Sequence, residues 1–317
     1  MGDQLLPTVI HDDDLPGITA HHAACRRLAL GEERQHYYRL WSKSLKLKHY
    51  RSIDRCTQVG ADGQCEIIEG QAKCLTKTEF DARMLNERAL HHDLFTLHYQ
   101  PIVHLATGTV AGHEALARIQ SGEQVIQPGR FLPYLLGSDL ERPWLQVQLD
   151  QVQTALTSPG FVSFNLSGSA LSWPTFDEML KPYTPNPKLW FEVLEDATIG
   201  EHQIENLRFI RRLGHKVELD DFPTGKDPVG KMLRSAAMFD AVKLDRCVCH
   251  GVADDPDLLD FATSLIRWAK RKKLVIICEG IERRIDADVL LKLGADLGQG
   301  WLYGKPSAKQ FGLSGGL

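Results

Sequence analysis

From His92 onward the chain alternates short apolar runs with longer amphipathic stretches. The runs fall at Phe95 to Tyr99, Thr109 to Leu116, Phe161 to Leu166, Leu189 to Leu194, Val217 to Leu219, Ala241 to Leu244, Leu274 to Cys278 and Gly300 to Tyr303. Each is short enough to be a buried strand, and turn residues bound most of them. Between them, helical spacing of apolar residues marks Gly129 to Leu136, Arg142 to Leu156, Thr175 to Leu180, Glu201 to Leu213, Val229 to Ala237, Asp257 to Arg271 and Arg284 to Leu293. Strands alternating with helices in this way predict an α/β fold, a closed (β/α)8 barrel, with an open doubly wound sheet as the alternative. The connection from Val103 to Gly108 is too short for a helix. The first two strands are therefore expected to form an antiparallel hairpin.

The N-terminal part reads differently. Asp12, Asp13 and Asp14 followed by Pro16-Gly17 mark a loose tail or entry turn, and Ile18 to about Trp41 has a mostly helical pattern broken at Gly31. Lys43 to His49 alternates polar with apolar residues, as a half-buried strand does. Cys56 to Val59 and Gln64 to Ile68 flank the turn Gly60-Ala61-Asp62-Gly63 and read as a hairpin. A helix from Thr78 to His91 follows. The expected division is a small α/β module over residues 1–77, of undisclosed role, and the barrel over residues 78–317.

Composition narrows the class. The chain of 317 residues is 43% hydrophobic and 25% charged, with a formal net charge of -4, which is ordinary for a globular protein and gives no reason to expect a nucleic-acid polymer or a membrane as partner. No apolar run approaches the ~20 residues that a membrane helix needs, and the acidic stretch Met1 to Leu15 does not resemble a leader. Seven cysteines form an odd count spread through the chain, so a reduced, cytoplasmic protein is expected. A zinc site could be drawn from Cys56, Cys65 and Cys74 with Cys25, His21 and His22. No Cys-x-x-Cys pair supports it, and ordinary buried thiols are expected instead. The same reasoning leaves Arg246-Cys247-Val248-Cys249-His250 as packing at a strand-to-helix loop.

The chemistry lies at the strand ends. Asp220 and Asp221 follow the run Val217 to Leu219, and two adjacent acids repel unless solvent or a shared cation offsets the cost. The other runs end alike: Glu114, then Asn165, Glu192 with Glu195, Lys243 with Asp245, Glu279 with Glu282, and finally Gln299. In a barrel these ends converge on one mouth. A donor set of carboxylates and an amide, without Cys or His, favours Mg²⁺ or Mn²⁺, and one Lys among the acids suits a phosphate oxygen or a water. The residues by themselves point to metal-assisted phosphoryl hydrolysis.

In this order the motifs resemble the EAL-domain family of cyclic di-GMP phosphodiesterases, over about residues 93 to 312. The resemblance is carried by Tyr99-Gln100-Pro101-Ile102-Val103, Glu114-Ala115-Leu116, Asn165-Leu166-Ser167, Glu192-x-x-Glu195, Asp220-Asp221-Phe222, Lys243-x-Asp245, Glu279-Gly280-x-Glu282 and Gln299-Gly300. It implies a TIM-like barrel with an antiparallel first strand and hydrolysis of cyclic di-GMP to linear 5'-pGpG. Two divalent ions about 3.5–4 Å apart would share the attacking water. By the same resemblance Glu114, Asn165, Glu192 and Asp220 hold the first ion, and Asp220 and Asp221 the second. Glu279 is the general base, Lys243 orients water or phosphate, and Gln299 completes the network. Arg118 contacts a phosphate, Gln100 and Pro306 line a guanine groove, and Leu116 and Asp245 belong to the substrate side. Glu195 anchors the loop after Asp221, and Glu282 braces the metal side. A homodimer is implied as well.

Two positions depart from the family pattern. Pro223 stands where the family has Gly, so the loop from Pro223 to Gly230 cannot keep a left-handed backbone or a donated N–H there. Glu218 alternates onto the face of Asp220 and should point into the barrel, where a carboxyl needs a partner such as Lys243 or a raised pKa. The altered loop leaves a second reading: a weakly active or inactive barrel that senses cyclic di-GMP or docks a protein.

Overall fold

The computed structural model describes residues 10–42, 44, 46–155, 160–183, 188–193, 200–224 and 236–308. The chain folds as two units, Met1–Arg88 and Ala89–Leu317, and the division falls within the helix Lys77–His91.

In the first unit, helix α1 (Leu15–Cys25) precedes three antiparallel strands, β1 (Glu33–Trp41), β2 (Leu47–Val59) and β3 (Cys65–Leu75), paired in that order. Residues 33–41 were expected to be helical and are a strand instead. Their aromatic residues suit a pleated surface better than a helix. Tyr38 lies opposite Tyr50 and the two rings stack 5.9 Å apart, a cross-strand pair that local periodicity does not reveal. A second correction concerns cysteine. The β2–β3 hairpin brings Cys56 and Cys65 to a Cα separation of 5.8 Å and they form a disulfide, so these two are not free thiols. Cys25, Cys74, Cys247, Cys249 and Cys278 are free.

The second unit begins with the end of α2 (Lys77–His91) and builds the barrel from β4 (Phe95–His104), β5 (Val110–Ser121), β7 (Phe161–Leu166), β8 (Leu189–Val193), β9 (Lys216–Phe222), β10 (Ala241–Leu244), β11 (Val275–Cys278) and β12 (Leu297–Gln299). Their order is β4-β12-β11-β10-β9-β8-β7-β5, and pairing of β4 with β5 closes the ring; the short β6 (Gln124–Ile126) adds to β5 outside it. β4 is antiparallel to both neighbours, and the other ring pairings are parallel. The cause is the tight connection after His104, whose N–H reaches Thr109 O at 2.8 Å. The crossovers are made by α3 (Leu132–Leu135), α4 (Glu141–Ala155), α5 (Phe176–Leu180), α6 (Glu201–Arg212), α7 (Arg246–Cys249), α8 (Pro256–Arg271) and α9 (Arg284–Leu293). Apolar residues such as Leu149, Leu207 and Ile266 on these helices are fully buried. The helix expected from Val229 to Ala237 lies outside the described residues apart from its end, where Ala236–Met238 form a 3₁₀ turn.

The eighth strand is Leu297–Gln299 rather than Gly300 to Tyr303. Glycine conceals it. A Cβ on Gly298 would meet Leu105 Cδ2 at 2.7 Å, and one on Gly300 would meet the Ile281 backbone at 2.2 to 2.7 Å, so strand and following turn are packed too tightly for side chains. Trp301, which made the later run look apolar, is 58% exposed. Gly300 also takes φ +155. Gly300→Ala should therefore lower unfolding stability by roughly 2–4 kcal/mol through overpacking and backbone strain. The measurement is the urea midpoint, and an unchanged midpoint would refute this account of the strand end.

Candidate active site

Lys243 on β10 is only 1% exposed, yet it carries the one ammonium at the centre of the barrel mouth among the described residues. Its Nζ lies 2.7 Å from Glu279, 2.8 Å from Glu192, 3.0 Å from Asp220 and 3.6 Å from Glu114. These four acids come from four different strands or strand ends, so barrel closure itself assembles the cluster. Burial by itself would push the Lys243 ammonium down, but Asp220, Glu114, Glu192 and Glu279 outweigh it and hold the proton on well above the usual lysine range.

Pairing register explains part of the convergence. Asn165, Glu192 and Glu218 lie side by side across β7, β8 and β9. Asn165 Nδ2 donates to Glu114 Oε1 at 3.0 Å, and Gln299 Nε2 donates to its Oε2 at 2.6 Å. Gln299 is steadied in turn by Gln100 Oε1 at 3.2 Å, while Gln100 donates to Gly304 O at 3.1 Å. Burial and the Glu114 charge hold Glu192 well above the usual carboxylate range despite Lys243. Burial likewise lifts Glu279 far up, with Lys243 opposing and Asp220 and Glu114 reinforcing.

The donor set fits hard divalent cations. One carboxylate oxygen each from Asp220, Asp221 and Glu279 lie within 4.8 Å of one another. Glu192 Oε1 is buried with no donor in hydrogen-bond geometry among the described residues, and Asp220 Oδ1 is buried 3.0 Å from Lys243 Nζ. Four acids around a single ammonium leave an excess of negative charge, and all the donors are oxygens.

Glu218 is fully buried beside this cluster, with the Glu192 carboxyl as its side-chain neighbour across β8 and β9. The direct pairing with Lys243 that its position led one to expect is absent. Instead burial, only partly offset by Lys243 and reinforced by Asp220 and Glu114, lifts its carboxyl to about 8.

The remaining expected residues divide. Arg118 is buried on β5 and its Nη1 donates to Ala117 O at 2.8 Å, which leaves most of the guanidinium's donor capacity over. Leu116 lies between Glu114 and Arg118 on the same strand face, half-buried. Pro306 is half-buried beside the bridge of Tyr99 with Ser307. Asp245 caps α7 by accepting from Cys247 N at 2.8 Å. Glu282 pairs with Arg246 at 3.1 Å and stays out of the Lys243 cluster. Glu195, and most of the loop from Pro223 to Gly230, lie outside the described residues.

One supporting residue escaped the sequence reading. Glu141, 1% exposed, accepts from Ser169 Oγ at 2.7 Å, from Gly137 N at 2.6 Å and from Ser167 Oγ. It fastens the loop that follows Asn165. Glu141 is the first residue of α4 and its carboxylate turns back to Gly137 N, a local role that says nothing of the mouth in the sequence.

Comparison with known proteins agrees with this geometry. A family model described as EAL domain matches residues 83–306. The chain is 28% identical to the probable cyclic di-GMP phosphodiesterase PdeB of Escherichia coli, over 68% of this chain and 43% of that protein. It is also 28% identical to the E. coli cyclic di-GMP phosphodiesterase PdeR, over 69% of this chain and 35% of that one. The chain thus spans less than half the length of these relatives. Among solved structures, the EAL enzyme Bd1971 bound to cAMP and cyclic di-GMP superposes with a TM-score of 0.66 at 27% identity, covering 73% of this chain and 68% of the other.

The position of Glu218 sets a pH test. A buried carboxyl held at about 8, against an ordinary value of about 4.3, keeps its proton when the chain folds. The stability from the neutral form is complete below the ordinary value and drains away as pH rises to about 8. In metal-free protein the advantage of Glu218→Gln over the native chain should therefore widen by several kcal/mol between about pH 5 and pH 8, at about 1.4 kcal/mol per pKa unit. Urea unfolding at the two pH values checks it; parallel pH dependences would overturn the assignment.

Proposed function

The chain belongs to the EAL domain family, and we propose that its barrel hydrolyses one phosphodiester bond of cyclic di-GMP to give linear 5'-pGpG. The observation that carries this reading is the buried Lys243 with four acids around it, joined by the oxygen cluster of Asp220, Asp221 and Glu279. Glu114, Asn165, Glu192 and Asp220 would hold one Mg²⁺ or Mn²⁺, and Asp220 with Asp221 a second. Bound there, such ions activate water as a nucleophile and neutralise charge on the phosphate.

The side chains account for the rest. Glu279 stands 2.7 Å from Lys243 and beside the oxygens of Asp220 and Asp221, which suits it to take the proton from the water that attacks phosphorus. As the P–O3' bond breaks, the leaving oxygen acquires a proton and the ring of the dinucleotide opens. Lys243 has its N–H groups directed among the acids and orients the water and a phosphoryl oxygen. Arg118, with spare guanidinium donors, meets another phosphate oxygen. Asn165 and Gln299 keep Glu114 in one orientation without adding charge, and Gln100 with Pro306 borders the base. The protein acts on a nucleotide second messenger inside the cell, as a homodimer.

Glu114→Ala and Glu279→Ala should each reduce pGpG formation at least 100-fold while the folded circular-dichroism spectrum is retained. The check is chromatography of cyclic di-GMP incubated with the purified protein and Mg²⁺ or Mn²⁺. Ca²⁺, which prefers more ligands at longer distances, should inhibit. Binding of cyclic di-GMP without any pGpG from the native protein would replace the enzyme with a sensor.

A further inference from the structure

The N-terminal unit holds a second cluster of ligand-type side chains, chemically unlike the first. His21 and Cys25 stand four residues apart on α1 and so share one face of the helix. Asp54 reaches the same place from β2. His21 Nε2 lies 2.6 Å from Asp54 Oδ2 and 3.3 Å from Cys25 Sγ, and one ligand atom from each residue lies within 4.8 Å of the others. His21 is 4% and Cys25 1% exposed.

The arrangement is not a nucleophilic relay. In a Cys-His-Asp relay the acid holds one ring nitrogen and the thiol meets the other. Here acid and thiol both converge on Nε2, so the acid does not steady the far ring nitrogen as a relay requires. What suits three donors converging on one point is a cation. Two further observations favour this. Ser52 Oγ donates to Asp54 Oδ2 at 3.1 Å and holds the acid in place. The ring of His36 stacks on His21 with 4.9 Å between centroids, and its Nε2 is buried with no hydrogen-bond partner among the described residues. Cys25 itself packs with Leu28 against the disulfide partners Cys56 and Cys65, which are spent on each other and leave Cys25 a free thiol.

We propose that His21, Cys25 and Asp54 form a binding site for a divalent transition metal of the zinc class. One imidazole, one thiolate and one carboxylate are borderline to soft donors that select zinc-like ions, whereas the all-oxygen set of the barrel selects hard ones. Zinc bonds of about 2.0–2.3 Å place such donors roughly 3–4 Å apart, so small side-chain rotations suffice. On binding, the Cys25 thiol proton passes to solvent, the His21 ring carries its proton on Nδ1, and the ion takes the place between Nε2, Sγ and the Asp54 carboxylate. The site stands independently of the barrel's proposed activity.

Cobalt is the probe, because only a thiolate ligand gives Co²⁺ an intense charge-transfer band in the near ultraviolet. The full chain, stripped with a chelator and kept in thiol-free buffer, should develop that band with one equivalent of Co²⁺ and lose it to Zn²⁺. His21→Gln and Cys25→Ser should abolish the band, and Asp54→Asn should weaken Zn²⁺ binding at least tenfold. His22→Gln and Glu114→Ala should leave it intact. Absence of the band from the native protein overturns the site whatever the variants do. Its persistence in Cys25→Ser, folded by circular dichroism, does the same by assigning the metal to another cysteine.

Discussion

The barrel mouth depends on one buried ammonium. A lysine out of water is unfavourable, and so is each carboxylate around it, yet together Lys243 and its four acids offset much of one another's desolvation. No pair of neighbouring strands could supply this balance. Glu114, Glu192, Asp220 and Glu279 arrive on β5, β8, β9 and just after β11, with Lys243 on β10, so the charges meet only when the ring closes. Closure in turn requires the antiparallel β4, which links β12 to β5. The site is therefore a product of global topology, and the acids' remaining negative charge is what makes the mouth receptive to divalent cations.

Neutral amides divide the work with the charged groups. Glu114 receives one hydrogen bond from Asn165 and another from Gln299, one at each oxygen. Lysines in those places would neutralise the mouth and weaken its hold on cations. Amides fix the carboxylate's direction and leave its charge in play. Glu141 does similar work one layer out: with Ser167 and Ser169 it pins the loop after β7, which keeps Asn165 aimed at Glu114. Precision at the mouth thus comes from short hydrogen bonds within and between adjacent elements.

Periodicity made the barrel legible because its strands are buried on both faces and read as continuous apolar runs. The acids were legible for a related reason: each interrupts or ends such a run, where burial would otherwise forbid a charge. The failures share the opposite cause. β12 is built around glycines whose value lies in absent side chains, and hydropathy cannot score what is absent. β1 is held by cross-strand rings such as Tyr38 on Tyr50, a contact with no local signature. The disulfide joins Cys56 and Cys65 although Cys56 lies opposite Ile68 and Cys65 opposite Val59 across a shifted register, so neither the hairpin reading nor the odd cysteine count reveals it.

Asp220 and Asp221 show how local backbone geometry completes what topology begins. Successive residues on a strand point to opposite faces, so two adjacent acids should not reach one site. Along β9, however, Leu219 is paired with Val242 and Phe222 with Leu244. Two residues, Asp220 and Asp221, therefore stand opposite the single Lys243. That is a β-bulge, and Asp221 takes the left-handed backbone that such bulges use, with φ 49. Aspartate tolerates this conformation better than most side chains. The bulge turns the second carboxylate back towards Asp220 and Glu279, within the 4.8 Å that one cation can span. A regular strand would have placed one acid in the mouth and the other in the packing behind it. The Asp-Asp pair reaches the mouth with both its acids because the extra residue in β9 breaks the alternation opposite the lysine that balances them.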